Sequence, residues 1–123
     1  MIQIDRVDFI PKLPYTKFAQ AQLVPSSFAQ LSKSQEIYVV SAEAPLFCIG
    51  FYKASLIARR YAWLLACEEL SPKYLKILRK LFTERMPKDV WLLARPEIDD
   101  LKFLKFFGFK PVEYSDNYLV MEL

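Results

Sequence analysis

The stretch EIDDLKFLKFFGFKPVEY, residues 97–114, holds one of only two glycines in a chain of 123 residues. Ile98, Leu101, Leu104 and Phe107 recur at three- and four-residue steps, the spacing of a helix with one apolar face. Pro96 stands where a helix begins, and Glu97, Asp99 and Asp100 fall in its first turn, where acids complement the helix dipole. After Gly108 the pattern turns extended. Glycine enters the left-handed conformation that ends a helix without steric cost, so the spacing predicts a helix over 96–107 stopped by Gly108. FKPVEYS (109–115) and NYLVMEL (117–123) then read as two strands joined at Ser115, Asp116 and Asn117, whose side chains bond their own backbone in turns.

Working outward, SPKYLKILRKLFTERM (71–86) is a second helix. Ser71 is a suitable N-cap and Pro72 sits at the first helical position. Tyr74, Ile77, Leu78, Leu81, Phe82 and Met86 form one stripe, while Lys73, Lys76, Arg79, Lys80 and Arg85 lie mostly off it. Pro87 ends it. DVWLLA (89–94) between the two helices is a short buried strand, and the expected core is Ile77, Leu78, Leu81 and Phe82 with Trp91, Leu93 and Phe107.

EIYVVSA (36–42), PLFCIGFYKA (45–54) and RYAWLLACEE (60–69) are rich in β-branched and aromatic residues and read as a three-stranded meander. Their continuously apolar runs imply a sheet covered on both faces. IQIDRVDF (2–9) alternates imperfectly, as an edge strand does. PKLPYTKFAQAQLVPSSFAQLSKSQ (11–35) favours two short helices punctuated by Pro11, Pro14 and Pro25, with Ser26 or Ser27 capping the second.

The composition narrows the chemistry. The chain contains no histidine, which removes Ser-His-Asp, Cys-His and histidine-ligated zinc sites. Cys48 and Cys67 each lie in an apolar run without metal-ligand spacing and are expected to be reduced core thiols. The net charge of +3 is spread rather than gathered into blocks, so no nucleic-acid partner is indicated. No run approaches the apolar length of a membrane span and the start lacks a secretory h-region, so a cytoplasmic protein without a membrane partner is expected.

The order of elements is strand, two helices, three strands, helix, strand, helix, two strands. With LKFLKFFGF (101–109), which is similar to a helix running into Gly-Phe before the penultimate strand, and CIGFYKA (48–54), similar to the third strand, the chain resembles the GNAT superfamily of acyl-CoA-dependent N-acyltransferases. The expected fold is therefore α+β over residues 1–123, a mixed, mostly antiparallel GNAT-like sheet of about six or seven strands with about four helices. Strands 60–69 and 89–94 should be parallel neighbours, because a helix of crossover length joins them, and helices 71–86 and 96–107 should lie on opposite or adjoining faces.

The resemblance also implies a site. In the family, backbone amides of a glycine-rich loop after the fourth strand hold the pyrophosphate of acetyl-CoA; the matching segment here, CEELSPKYLKIL (67–78), has no glycine, and Pro72 removes an amide. Leu70, Ser71, Lys73 and Lys76 are the cofactor-binding candidates, the lysines as point charges. Leu104 stands where the family often places its tyrosine acid, and Glu97 corresponds roughly to an asparagine. Glu68 and Glu69 are candidate general bases, the plainer alternative being a solvated strand end with one partner in Arg59 or Arg60. Tyr114 and Tyr118 are candidate proton donors or packing residues. Because the loop departs from the family's, the sequence favours a GNAT-like protein with a degenerate acetyl-CoA site, no cofactor and a protein partner. Small glycine-poor chains of this type resemble proteins of tailed bacteriophages, which would place it in a host cytoplasm or a virion. The alternative is a divergent acyl-CoA-dependent N-acetyltransferase that uses acetyl-CoA.

Overall fold

The computed structural model describes residues 2–23, 36–53, 60–85, 90–94, 101–115 and 118–122. Seven strands form one sheet: β1 (Gln3–Val7), β2 (Glu36–Ser41), β3 (Pro45–Lys53), β4 (Arg60–Ala66), β5 (Val90–Ala94), β6 (Lys110–Ser115) and β7 (Tyr118–Glu122). Their order is β1-β2-β3-β4-β5-β7-β6. Every pairing is antiparallel except that of β4 with β5. The expected meander is β2-β3-β4, β1 is an edge strand, and the parallel pair is the one that the crossover helix predicts.

Three helices lie within the described residues: α1 (Lys17–Gln22), α2 (Pro72–Arg85) and α3 (Leu101–Phe106). The second of the two short helices expected between residues 11 and 35, and the first turn of the helix expected from Pro96, fall outside them. None of the described helices is long and apolar enough to cross a membrane.

Gly108 has φ 97°, the left-handed conformation expected of it, and the amides of Gly108 and Phe109 donate to Lys105 and Leu104 at 3.0 and 3.2 Å. The turn closes α3 and sets Phe107 and Phe109, both buried, on either side of the glycine. Phe82 of α2 packs on Phe107 at 4.7 Å between ring centroids and on Phe47 of β3 at 5.7 Å. Both helices therefore cover one face of the sheet, whose core also holds Ile49, Phe51, Leu64, Leu78, Leu92 and Leu104. They are adjoining rather than opposed.

The other face carries Ile37, Val39, Cys48, Trp63, Leu65 and Cys67, covered by Ile10, Tyr15 and Ala19 from the amino-terminal segment. Gly50 pairs across the ladder with Trp63, and a Cβ at position 50 would stand 2.1 Å from the indole. The second glycine of the chain is thus a packing requirement: the indole lies where a side chain would be.

Two expectations are corrected. Ile77 is 54% exposed, whereas Leu78 is fully buried. At about 100° per residue, Tyr74, Leu75, Leu81 and Phe82 lie within about 60° of Leu78 around the helix, while Ile77 is about 100° away. The contact with the sheet is narrower than the apolar stripe. Ser71 does not cap α2 through its side chain: its Oγ is buried without a hydrogen-bond partner among the described residues, and its carbonyl instead accepts from the Tyr74 amide at 3.1 Å. The burial of Trp91 and Leu93 lies outside the described side chains.

Leu78→Ala should lower the stability by about 2–5 kcal/mol, whereas Ile77→Ala should stay within about 0.5 kcal/mol; urea midpoints of the two variants check this. Gly50→Ala forces the indole to move and should cost about 1–3 kcal/mol, read from the same measurement together with a shift in tryptophan fluorescence.

Candidate functional site

The pairing of β4 differs between its two edges. Along one edge it is bonded to β3 from Arg60 to Ala66, and the Cys67 amide extends the contact to the Leu46 carbonyl at 2.8 Å. Along the other it pairs with β5 only at Arg60↔Val90, Tyr61↔Trp91 and Ala62↔Leu92. Both strands continue past this point, β4 to Ala66 and β5 to Ala94, and β5 stays paired to β7 through Leu93↔Val120 and Ala94↔Leu119. The carboxyl ends of the two parallel strands therefore diverge. A gap outside the carboxyl ends of parallel strands is where α/β sheets commonly receive ligands.

Backbone groups of successive strand residues face opposite neighbours. Since the Cys67 amide turns to β3, those of Leu64, Ala66 and Glu68 turn to the gap. Two of them are occupied: the Thr16 amide donates to the Ala66 carbonyl at 2.9 Å, and the Glu68 amide to the Pro14 carbonyl at 2.8 Å. Together they make an antiparallel bridge between Tyr15 and Cys67.

Tyr15 is 5% exposed. Its hydroxyl donates to the Pro11 carbonyl at 2.6 Å, and its own carbonyl accepts from Gln20 Nε2 at 2.9 Å. Thr16 Oγ1 accepts from the Ala19 amide at 3.2 Å and caps α1. Pro11 and Pro14 mark this segment in the sequence, whereas Tyr15 carries no motif. The available signal was a large aromatic flanked by Pro14 and a helix-capping threonine.

Glu68 and Glu69 form the exposed turn that follows β4, at the end of the sheet where the gap opens. Tyr114 and Tyr118 reach the same end from the opposite side, in the register pairs Tyr114↔Leu119 and Ser115↔Tyr118 of the β6–β7 hairpin. With β7 next to β5, the two groups of candidates flank the gap. Their tyrosine side chains lie outside the described ones. Leu104 is a core residue at 5% exposure, and Glu97 lies outside the described residues.

Past the turn, Leu70 packs against the helix-covered core and α2 begins at Pro72. Backbone bonds consume the amides of Cys67, Glu68, Leu70 and Tyr74; among the described residues those of Glu69, Ser71 and Lys73 have no backbone acceptor. Lys73 and Lys76 are exposed on the first turns of α2, with the Lys73 ammonium 4.9 Å from the Tyr74 ring centre. This end of α2 combines free amides, the positive end of a helix dipole and two cations, a donor set suited to an oxyanion even without glycine. The unpartnered Ser71 hydroxyl belongs to the same end.

Cys48 and Cys67 are free and buried, as expected. Burial pushes the Cys48 thiol up to about 12, opposed by a hydrogen bond with Tyr15, and the Cys67 thiol up to about 11, with Glu68 adding to the effect. Burial likewise raises the Tyr15 hydroxyl. Thiols held protonated this firmly are packing groups rather than nucleophiles.

No family model matches the chain, and no curated protein matches it in sequence. Solved structures do. The chain is similar to an IAA acetyltransferase from Bacillus cereus ATCC 14579, with 15% identity, TM-score 0.65 and complete coverage of both chains. It is also similar to the Campylobacter jejuni N-acetyltransferase PseH in complex with acetyl coenzyme A, with 10% identity, TM-score 0.59, and coverage of 100% of this chain and 98% of that one. A second structure of PseH aligns at 12% identity and TM-score 0.57 over 99% of this chain and 96% of that one. At these identities the likeness is one of fold, the GNAT-like arrangement expected from the sequence.

Thiols protected in the folded state make the stability fall at alkaline pH. Below their ordinary value of 9.0 both states keep the thiol protons; above it the unfolded chain releases them, while the folded one holds them to about 11 and 12. The urea midpoint should fall as pH rises from 9 towards 11, and fall less in the Cys48→Ala, Cys67→Ala variant.

Proposed function

We propose that the chain is a divergent acyl-CoA-dependent N-acyltransferase whose site is the gap between β4 and β5. The observation that carries this is the end of the β4–β5 ladder at Ala62↔Leu92 together with the arrival of Glu68, Glu69, Tyr114 and Tyr118 at that same end of the sheet. The structural likeness to acetyltransferases favours it over a role confined to protein contacts.

Acyl-CoA supplies the activated thioester. Its diphosphate fits the start of α2, where the amides of Glu69, Ser71 and Lys73 and the cations of Lys73 and Lys76 provide the donors. A buried hydroxyl without a partner, as at Ser71, adds a further donor next to these amides. Glu68 or Glu69 accepts the proton of the acceptor amine, directly or through water; both side chains are exposed. As the amine nitrogen bonds to the thioester carbon and the carbon–sulfur bond breaks, the hydroxyl of Tyr118 or Tyr114 gives its proton to the departing thiolate of coenzyme A. Histidine has no part in this scheme, which suits a chain without one.

Acetyl-CoA at about 100 times its dissociation constant should stabilise the protein by about 2.7 kcal/mol, read as a rise in Tm. Lys73→Ala with Lys76→Ala should weaken binding by about tenfold, and Glu68→Gln with Glu69→Gln should slow acetyl transfer to a panel of amines by about 10²–10⁴ with binding intact. No stabilisation by acetyl-CoA or longer acyl-CoAs would return the chain to a role in protein contacts.

A further inference from the structure

The backbone edge of β4 that faces the gap is already in use. Leu64, Ala66 and Glu68 turn their main-chain groups to it, and the segment Pro14–Thr16 bonds the last two. A strand edge pairs with one extended chain at a time. Any elongated ligand lying along β4 therefore meets this segment as a competitor for the Ala66 carbonyl and the Glu68 amide.

We propose that Pro14–Thr16 is an internal strap that occupies the β4 edge of the gap and must leave it for an acyl-CoA arm to lie along β4. The proposal rests on the acyltransferase reading of the gap. Two main-chain bonds, at 2.9 and 2.8 Å, hold the strap to β4. It is followed by a helix of only six residues, α1, too short to be stable by itself. The Tyr15 ring remains the pivot: it is buried on the sheet face with Cys48 and Cys67, and its hydroxyl is tied back to Pro11. The edge bonds exchange while the ring keeps the segment attached. The strap differs in this from a plain core contact, because the bonds that it makes are those that a ligand needs.

A native thiol makes the strap lockable. Tyr15 and Cys67 form a non-hydrogen-bonded antiparallel pair, whose Cα atoms are about 4.5 Å apart, within the range that a disulfide spans. In a Cys48→Ala background, Tyr15→Cys has Cys67 as its partner. Acetyl-CoA binding by calorimetry, with this variant oxidised and then reduced, is the test. Oxidation should weaken binding at least about tenfold and reduction should restore it. Equal affinity in the two states overturns the strap and leaves the acyltransferase reading standing; binding to neither, nor to the wild type, overturns both.

Should Tyr15→Cys fail to fold, Thr16→Pro decides. Thr16 has φ −66° and ψ 166°, which proline adopts without strain, so the substitution removes the bond to Ala66. Thr16→Ala, which loses the same cap on α1 but keeps the amide, is its reference. Thr16→Pro should bind acetyl-CoA more tightly than Thr16→Ala, by up to about tenfold for one hydrogen bond no longer broken. Equal binding by the two overturns the strap.

Discussion

The structure depends on the unequal pairing of β4. One edge is bonded to β3 along its full length, while the other holds β5 for three residues and then lets it go. An unpaired strand edge exposes main-chain donors and acceptors that need partners. The chain meets that need in two ways: the parallel ladder satisfies the lower part, and the Pro14–Thr16 bridge satisfies the Ala66 carbonyl and the Glu68 amide. The gap opens between these two, on the edge of β4 that faces β5.

The rest of the fold holds β4 in that position. On one face the rings of Phe47, Phe82 and Phe107 form a continuous aromatic chain that joins β3, α2 and the turn after α3. On the other, the indole of Trp63 lies over Gly50, and the amino-terminal segment closes over Cys48, Leu65 and Cys67. Because both faces are packed, the opening lies at the end of the sheet and not above it. Glu68 and Glu69 occupy that end without disturbing the core, since they stand in the turn beyond the last buried residue of β4. The helix-terminal amides of α2 follow directly from the same turn. The carboxylates and the main-chain donors at the start of α2 are adjacent because the chain passes from strand to helix in a few residues.

Much of this was legible in the residues. The spacing of Leu104 and Phe107 before Gly108, then the alternation after it, identified a helix stopped by a left-handed glycine and followed by a hairpin. The crossover length between β4 and β5 implied their parallel pairing. The absence of histidine and the apolar setting of Cys48 and Cys67 defined which chemistries were closed to the chain. These features are local: they follow from the side-chain pattern of a single element and from the lengths of the connections.

Tertiary structure decided the remainder. Ile77 satisfies the same periodicity as Leu78, yet the contact with the sheet is centred on Leu78 and leaves Ile77 in solvent. Ser71 has the composition of an N-cap, but its hydroxyl is turned away from that role. The segment Pro14–Thr16 gave no sign beyond Pro14 and an aromatic beside a capping threonine. The physical reason is common to the site as a whole. Side-chain periodicity records which face of an element is apolar, whereas the edge of a strand is made of main-chain groups that nearly every residue carries alike. Which segment pairs with that edge, and where the pairing stops, is settled only when the strands are assembled.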